Sequence, residues 1–442
     1  MPGATATEAR FEAGNKKRPV DVVDSIICFR NKDHQFWWDR TGSHLAQLLK
    51  YAGYEKSEQY QELLFYALHV VPELGPSPDA GGQMRWRSPQ TPDGTPIDFS
   101  WEWGLQGKGV VRTSFEPIGP LAGTSADASN RQATKAWIRH LDSQGLVAGL
   151  DLEWYYHFVE NLLPTDIERV RLNEKLGFEL APRAGTFVTR DIGRSGPIVK
   201  LYIFPGLRAE ELGVSNLDVV TRAVKSLPAE QYEYLGCEPL LDYLHEAAVK
   251  WNMETGIFSF DLLSPKTSRI KLYTRAPNTT VDYLMDALTL GGRYNRSVYS
   301  EEALADVQDF WNIFIGDAPD VLPSGGAERA GPGFYFTVGG GKLASPKVYI
   351  SPMSFCKNDG EVLERLRYFF STRRNAEQML PQMDNYEAAL ESIYGTKLLQ
   401  SHVGSHFYTL DQEREARKAQ ADRNERDRLL WQIMEKTKDD MY

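Results

Sequence analysis

Alternation of polar and apolar residues at a spacing of two is the most regular feature of this sequence. In "SRIKLYTRAP" (268–277), Arg269, Lys271 and Tyr273 fall on one side of the pattern, and two aliphatic residues fall on the other. Successive side chains of a β-strand point to opposite faces, so the pattern predicts a strand with a cationic, aromatic face and an apolar face. A single strand of this kind is the ordinary case for an antiparallel sheet with one solvated side.

The same cation-x-Tyr unit occurs twice more, each time with a proline close by. It appears as Lys200 and Tyr202 in "PIVKLYIFP" and as Lys347 and Tyr349 in "SPKVYISP". From Lys200 to Lys271 is 71 residues, and from Lys271 to Lys347 is 76 residues. Recurrence at a nearly constant period indicates a repeat architecture.

Each unit follows another predicted strand and a turn rich in Gly, Ser or Pro, which is typical of a β-hairpin. The predicted hairpins and the last predicted strand are 95–119, 185–204, 256–274, 333–351 and 398–410. Apolar residues at three- and four-residue spacing predict helices around these hairpins, several with Ser, Thr or Asn as the expected N-cap. The clearest of these helices are 57–75, 280–292, 299–316 and 358–373.

Hairpins joined in series by helices favour an antiparallel sheet covered by helices on one face. Closing that sheet into a barrel removes its edges and makes the other face a lumen. If the Val, Leu and Ile face meets the helices, the Lys, Arg and Tyr face lines the lumen. The predicted fold class is therefore α/β, with an antiparallel barrel surrounded by helices.

Cations of this pattern converge in the predicted lumen. They are Arg112, Lys200, Arg269, Lys271 and Lys347. Buried cations without counter-charges carry a large free-energy cost, so we expect an anion in the cavity. The chain carries 60 Asp and Glu against 50 Lys and Arg, so the cluster is not part of a basic surface and nucleic acid is disfavoured as a partner. A small polyphosphate is the better candidate.

Tyrosines line the same face, one from each repeat unit. They are Tyr202, Tyr273 and Tyr349. Aromatic faces stabilise cations and exclude water, so a ring of tyrosines beside a phosphate site suggests that a carbocation is shielded there. The alternative is that the tyrosines only fill the lumen.

The length of 442 residues allows two or three domains, but the repeat favours one. We expect a flexible leader at 1–20, the barrel domain at 21–410, and a charged helix or tail at 411–442, whose "LLWQIM" patch docks on the barrel, supports a homodimer, or is solvated. The three cysteines show neither disulfide nor metal spacing. No apolar signal core or membrane-length apolar run is present, which predicts a cytoplasmic protein without membrane contact.

Several segments in this order and spacing resemble the fungal aromatic (indole) prenyltransferases of the dimethylallyltryptophan synthase family. They are "PIDFSWEW", "VRTSFEPIGPLAGTS", "IVKLYIFP", "SRIKLYTRAP", "TLGGR", "PKVYISP" and "YQELLFYALHVVPELGP". The resemblance covers nearly the whole chain. It implies the ABBA barrel, with ten antiparallel strands around a polar lumen and a ring of α-helices outside. It also implies transfer of a dimethylallyl group from dimethylallyl diphosphate to an electron-rich aromatic molecule.

The resemblance assigns roles to the residues of the pattern. The five cations would bind the diphosphate and stabilise the leaving pyrophosphate. The three tyrosines would shield the dimethylallyl cation, and Tyr408 or Phe407 of the last strand would complete the shield. No Asp-Asp-x-x-Asp motif is present to hold magnesium, so the cations would replace the metal and no cofactor is expected.

The acceptor side departs from the family pattern at one position. Family members carry a glutamate that accepts a hydrogen bond from the indole N–H, and "PIDFS" places Asp98 there. A carboxylate at this point raises the nucleophilicity of the ring and can accept a proton. Glu102 lies on the same strand face and is the second candidate base. For either acid, the alternative is an ion pair with a lumen lysine.

A second departure concerns the acceptor itself. Tryptophan-using members have a lysine on the strand before the Lys-x-Tyr unit, and "RAGTFVTRDI" has none. The resemblance therefore favours a tryptophan-containing cyclic dipeptide or a related indole alkaloid over free tryptophan. The alternatives are a phenolic acceptor, such as tyrosine or a polyketide, and a non-catalytic barrel that binds an anionic lipid-like ligand.

Overall fold

The computed structural model describes residues 17–91, 93–104, 109–176, 184–193, 195–293, 301–323, 331–340 and 342–399. Its α-helices over these residues are α1 (Pro19–Ile26), α2 (Lys32–Tyr51), α3 (Lys56–Phe65), α4 (Arg131–Ser143), α5 (Glu153–Leu162), α6 (Asp166–Leu176), α7 (Gly206–Leu212), α8 (Asn216–Lys225), α9 (Ala229–Leu235), α10 (Glu238–Trp251), α11 (Val281–Leu288), α12 (Glu301–Ile315), α13 (Asp359–Ser371), α14 (Ala376–Tyr394) and α15 (Thr396–Leu399). A π-helix (Tyr66–Val70) and a 3-10 helix (Val71–Glu73) continue α3, and a second 3-10 helix spans Pro352–Ser354. Its strands are β1 (Ile97–Glu102), β2 (Val110–Phe115), β3 (Thr186–Asp191), β4 (Ile198–Ile203), β5 (Glu254–Asp261), β6 (Ile270–Arg275), β7 (Gly333–Gly339) and β8 (Lys342–Tyr349).

The strands form one antiparallel sheet in which neighbours in the sequence are neighbours in space, in the order β1 to β8. The four predicted hairpins are confirmed as the pairs β1–β2, β3–β4, β5–β6 and β7–β8. The resemblance implies ten strands, and the described residues contain eight. The predicted last strand (398–410) lies outside them except for its first two residues. Those two residues are helical, because the N–H of Leu399 bonds back to the carbonyl of Gly395.

The two faces of the strands separate apolar from charged residues as the alternation predicts. On β4, the apolar residues Val199, Leu201 and Ile203 are buried in a continuous hydrophobic cluster shared with the helices. Lys200 and Tyr202 therefore point to the opposite face. Because the apolar face is covered by helices, the cationic face is the inner one.

The sheet is strongly curled. Lys347 on β8 lies 3.9 Å from Glu102 on β1, measured from Nζ to Oε1, although β1 and β8 are at opposite ends of the strand order. A sheet that brings its first and last strands this close encloses a space on its concave face. We call this space the lumen.

Local signals explain where the predicted helices begin. The hydroxyl of Thr280 accepts a hydrogen bond from the backbone of α11, and the side chain of Asn358 caps α13 in the same way, as the sequence predicts. Helix α3 begins at Lys56, one residue before the serine expected to cap it. There the N–H of Glu55 donates to the carboxylate of Glu58 over 2.6 Å, so a glutamate pair forms the cap instead.

The first described helix overlaps the predicted leader. Helix α1 begins at Pro19, inside the range predicted as leader (1–20), and proline suits the first turn of a helix. One hydrophobic cluster then runs from Val23 to Ala389. The predicted tail (411–442) lies outside the described residues. None of the helices that the structure describes combines the length and the apolar character needed to span a bilayer.

Candidate active site

The predicted cations all come from the concave face of the sheet, and they differ in exposure. Lys200 and Lys271 have side chains that are 3 % and 9 % exposed, so they lie against the lumen wall. Arg269 and Lys347 are 45 % and 55 % exposed and project into the open space. Arg112 is intermediate. The arrangement provides both fixed and accessible positive charges for an anion.

Three carboxylates form ion pairs with these cations in the lumen. The first is Asp191 at the end of β3, whose Oδ1 accepts a hydrogen bond from Nε of Arg112 over 3.1 Å and whose Oδ2 accepts one from Nζ of Lys200. Glu102 forms a salt bridge with Arg112 as well as the longer contact with Lys347. Glu102 was predicted either to act as a base or to form an ion pair with a lumen lysine. The structure shows ion pairs of Glu102 with lumen cations.

The third carboxylate is Asp261 at the end of β5. Its Oδ2 accepts a hydrogen bond from Nε of Arg269 over 2.8 Å, and its Oδ1 lies 4.0 Å from Nζ of Lys271. Burial lowers the pKa of Lys271 to about 7, and the nearby charge of Lys200 acts in the same direction, while Asp261 opposes them. Lys271 is thus divided between charged and neutral forms near neutral pH.

These pairs correct one step of the sequence analysis. The cations were expected to lack counter-charges, and Asp191 and Asp261 supply them. Both acids end a strand that precedes a cation-x-Tyr strand, in "VTRD" and "FSFD". Alternation places both acids on the lumen face, since Asp191 lies opposite Arg112 and Asp261 lies opposite Lys200.

An aromatic belt crosses the lumen wall from β3 to β7. Phe187 stacks on Tyr202 with ring centroids 4.4 Å apart, and Tyr202 is 5.7 Å from Tyr273, with the two hydroxyl groups 3.3 Å apart. Tyr273 in turn stacks on Tyr335 at 5.0 Å. Phe187 and Tyr335 were not predicted, because they too lie on the first strands of their hairpins.

The third predicted tyrosine lies near the β8 end of the sheet. Tyr349 is 48 % exposed, and the guanidinium of Arg275 lies 5.8 Å from the centre of its ring. Burial raises the pKa values of Tyr202 and Tyr273 above that of a free phenol, so both rings remain uncharged at neutral pH. The predicted shield residues Phe407 and Tyr408 lie outside the described residues.

Asp98 differs from the other lumen acids because its recorded hydrogen-bond partners are neutral. Its Oδ2 accepts a hydrogen bond from the amide of Gln90 over 2.9 Å, and the hydroxyl of Ser114 provides a second bond. Burial raises the pKa of Asp98 to about 7, and the two hydrogen bonds oppose this rise only in part. Gln90 comes from the loop before β1 and was not predicted, because a loop position does not follow strand periodicity.

The lumen therefore combines an anion-binding cluster, an aromatic wall and a carboxyl group that titrates near neutral pH. Perturbed pKa values of this kind concentrate at functional sites. Within the ranges that the structure describes, no three His, Cys, Asp or Glu side chains are grouped so that they could hold a metal ion.

Comparison with known proteins identifies the family. The Tryptophan dimethylallyltransferase family matches residues 33–385 of this chain. The indole diterpene prenyltransferase janD of Penicillium janthinellum is 28% identical over 386 residues, which are 84% of this chain and 87% of that protein. The 4-O-dimethylallyl-L-tyrosine synthase of Claviceps purpurea (strain 20.1) is 28% identical over 350 residues, which are 77% of this chain and 76% of that protein.

The fold has a counterpart among solved structures. The crystal structure of NotF in complex with brevianamide F and DMSPP superposes with a TM-score of 0.71 at 23% identity, covering 86% of this chain and 90% of that chain. This likeness shows the ABBA prenyltransferase fold. Since the family match extends over most of the chain, this protein belongs to the tryptophan dimethylallyltransferase family and is an aromatic prenyltransferase.

Proposed function

We propose that the enzyme transfers a dimethylallyl group from dimethylallyl diphosphate to the indole ring of a tryptophan-containing cyclic dipeptide or a related indole alkaloid. The observation that carries this proposal is the presence of three groups in one lumen: the cation cluster, the aromatic belt and Asp98. Family membership sets aside the alternative of a non-catalytic binding barrel.

The cations would bind the donor and stabilise its leaving group. Arg269 and Lys347 are the accessible members, and Lys200 and Lys271 form the wall behind them. As the bond between the allylic carbon and the diphosphate oxygen breaks, negative charge accumulates on pyrophosphate. Fixed positive charges stabilise that charge more in the transition state than in the bound donor.

The aromatic belt would hold the other product of that step, the dimethylallyl cation. The faces of Tyr202, Tyr273 and Tyr335 present negative quadrupole density and exclude water from one side of the lumen. The cation then alkylates the electron-rich ring of the acceptor. Loss of a proton from the attacked ring carbon restores aromaticity.

Asp98 would orient and activate the acceptor. In its ionised form it accepts a hydrogen bond from the indole N–H, which stabilises the positive charge that the ring acquires on attack. Glu102 is less suited to act as a base, because proton transfer to it would weaken its ion pairs with Arg112 and Lys347.

A phenolic acceptor is the second candidate. A carboxyl group with a pKa near 7 is matched to the removal of a phenolic proton at neutral pH, and one relative is named 4-O-dimethylallyl-L-tyrosine synthase. The missing lysine on β3, where Thr189 and Asp191 face the lumen, supports the indole dipeptide over free tryptophan.

The first experiment incubates purified enzyme with dimethylallyl diphosphate and a panel of acceptors, with and without EDTA. The panel contains tryptophan, several tryptophan-containing cyclic dipeptides, tyrosine and polyphenols, and mass spectrometry detects the gain of one dimethylallyl unit. We expect an indole cyclic dipeptide to give the most product and EDTA to leave the rate unchanged. A phenolic winner would replace the indole proposal with the second candidate.

Three further properties belong to the proposal. The reaction needs no divalent metal or other cofactor, and the EDTA arm of the experiment tests this point. The enzyme acts in the cytoplasm. The enzyme forms a homodimer if the "LLWQIM" patch, which lies outside the described residues, mediates contact between two chains. Light scattering of the full chain measures the oligomeric state.

A further inference from the structure

Each of the five lumen cations already has a carboxylate partner before any donor binds. Arg112 and Lys200 share Asp191, and Arg269 and Lys271 share Asp261. Lys347 reaches Glu102, which also pairs with Arg112. The groups that would bind diphosphate are therefore the same groups that are held by internal acids.

The charges do not balance completely. Five cations face three acids, which leaves two positive charges when all of these groups are ionised. A diphosphate ester brings more negative charge than this excess, and inorganic pyrophosphate brings more again. A bound diphosphate thus competes with the acids for the same N–H donors, and it also experiences their repulsion.

We propose that Asp191, Asp261 and Glu102 act as internal counter-ions that replace the diphosphate between turnovers and thereby speed the release of pyrophosphate. This inference rests on the proposed function, because it assumes a diphosphate donor. The three acids are positioning residues. They pair with the cations when no diphosphate is bound and recapture them as the product leaves.

The geometry around Asp261 supports this role most directly. Its side chain is 4 % exposed, and Oδ2 is bonded to Arg269, whereas Oδ1 is buried without a hydrogen bond. Lys271 stands 4.0 Å from that oxygen, too far for a hydrogen bond and close enough for strong attraction. A buried lone pair without a donor is costly, so this pair is not arranged for maximal stability. It leaves the ammonium group of Lys271 available to another anion.

The acids also limit the affinity of the five cations for the product, pyrophosphate. A pocket with five unopposed cations would bind pyrophosphate more tightly than the donor, because pyrophosphate carries the greater charge. Tight product binding would limit turnover. Three built-in carboxylates weaken both complexes, and they weaken the more highly charged one to a greater extent.

The test compares Asp261→Asn and Asp191→Asn with the wild-type enzyme. Titration calorimetry with inorganic pyrophosphate measures affinity, and steady-state kinetics with dimethylallyl diphosphate gives kcat and KM. We expect pyrophosphate to bind about tenfold more tightly or better in each variant, because one repelling charge has been removed. We expect kcat to fall as product release slows, and KM for the donor to fall with it.

Asp286→Asn is the matched control. Asp286 pairs with Lys250 over 2.7 Å and also accepts a hydrogen bond from the indole of Trp251, but it lies on α11 in the helical shell. Its replacement removes an Asp–Lys pair of the same chemistry outside the lumen. Affinity for pyrophosphate should stay at the wild-type value.

Loss of a buried acid also leaves cations unpaired, so the variants are expected to be less stable without ligand. Thermal unfolding with and without pyrophosphate separates the two effects, since internal counter-ions predict a larger stabilisation by pyrophosphate in the variants. Should the aspartate variants not fold, Glu102→Gln gives the answer, because Glu102 is 44 % exposed and its loss leaves no deeply buried charge.

The outcomes are distinct. Tighter pyrophosphate binding with lower kcat supports the counter-ion role. Unchanged or weaker binding in folded variants overturns it, even if the enzyme transfers dimethylallyl groups normally. Absence of any pyrophosphate binding by the wild-type enzyme would instead contradict the proposed function.

Discussion

Asp98 is a partly buried carboxyl group whose hydrogen bonds come from an amide and a hydroxyl rather than from a cation. Its pKa of about 7 in the folded protein lies above the ordinary value of 3.8. The folded state therefore binds a proton that the unfolded state releases between these two pH values. Stability from this group is present below pH 3.8 and is lost as pH rises through about 7.

Replacement of Asp98 by Asn should separate activity from stability. The gap between the two pKa values corresponds to about 4 kcal/mol by which folding disfavours the ionised form. At pH 8 we therefore expect the free energy of unfolding of the variant to be about 1–4 kcal/mol higher than that of the wild type. The rate of prenyl transfer should fall about 10²-fold or more, because the indole N–H of the acceptor no longer has the Asp98 carboxylate as its hydrogen-bond partner. Chemical denaturation at pH 5 and pH 8, together with initial rates, measures both quantities.

The control for this change is Asp39→Asn. Asp39 also accepts a hydrogen bond from a glutamine amide, that of Gln35 over 2.6 Å, but it is exposed on α2. Neither activity nor pH-dependent stability should change there. Wild-type turnover by the Asp98 variant would refute the catalytic role of the carboxylate.

Tyr273 lies in the middle of the aromatic belt and touches both of its neighbours. Replacement by Ala should open the wall to water, so more of the dimethylallyl cation is captured as prenyl alcohol. Replacement by Phe retains the ring and should keep the ratio of alcohol to prenylated product near that of the wild type. Chromatographic analysis of both products gives the ratio, and an equal ratio in the Ala and wild-type enzymes would argue against shielding.

At the scale of the elements, β6 carries the most strongly perturbed cation of the lumen. Lys271 has a pKa of about 7, because burial and the charge of Lys200 disfavour its charged form. If the donor binds as proposed, its diphosphate favours the charged form of Lys271, so we expect the pKa of Lys271 to rise on binding and Lys271 to take up a proton. Above pH 7 we therefore expect the donor to bind together with a proton.

Calorimetry in buffers of different ionisation enthalpy measures this proton. At pH 8 we expect the wild-type enzyme to take up most of one proton with each pyrophosphate bound. Lys271→Arg should bind pyrophosphate with no such uptake, since arginine remains charged at this pH. Proton uptake that is the same in the Arg variant would assign the effect to another group.

The hairpins could be predicted from the sequence, because alternation, turn residues and the repeated cation-x-Tyr unit all favour the same register. The cations and three tyrosines follow from that register. Asp191, Asp261, Phe187 and Tyr335 obey the same alternation on the partner strands, but no recurring motif distinguishes them. The partner of Asp98 could not be predicted, because Gln90 reaches it from a loop whose path depends on packing.

At the scale of the whole molecule, the last long helix returns to the first ones. Helix α14 packs beside α2, with the ring of Tyr394 5.7 Å from that of His44. From the same helix, Gln382 bonds to both backbone groups of Gly104 just after β1, over 3.2 Å and 2.9 Å. The helical layer therefore joins the two ends of the described chain around the sheet.

Gln382→Ala should weaken this closure. It removes both hydrogen bonds and leaves two backbone groups of Gly104 without them, so we expect a loss of about 1–3 kcal/mol in the free energy of unfolding. Gln378→Ala is the control, because Gln378 lies one turn earlier on the same helix with an exposed side chain. Urea denaturation compares the two, and equal midpoints would show that the Gln382 contacts do not hold the ends together.

The ion pairs of the lumen also have a consequence for how the chain is made. Asp191 and Lys200 are nine residues apart, and Asp261 and Arg269 are eight apart, so each pair belongs to a single hairpin. A hairpin that emerges from the ribosome can therefore neutralise its own charges before the rest of the wall exists. The contact between Arg112 and Asp191 has to wait for the next hairpin, and the contact between Glu102 and Lys347 has to wait for the far end of the sheet. Lys200 on β4 and Arg269 beside β6 can thus be paired as soon as their own hairpins form.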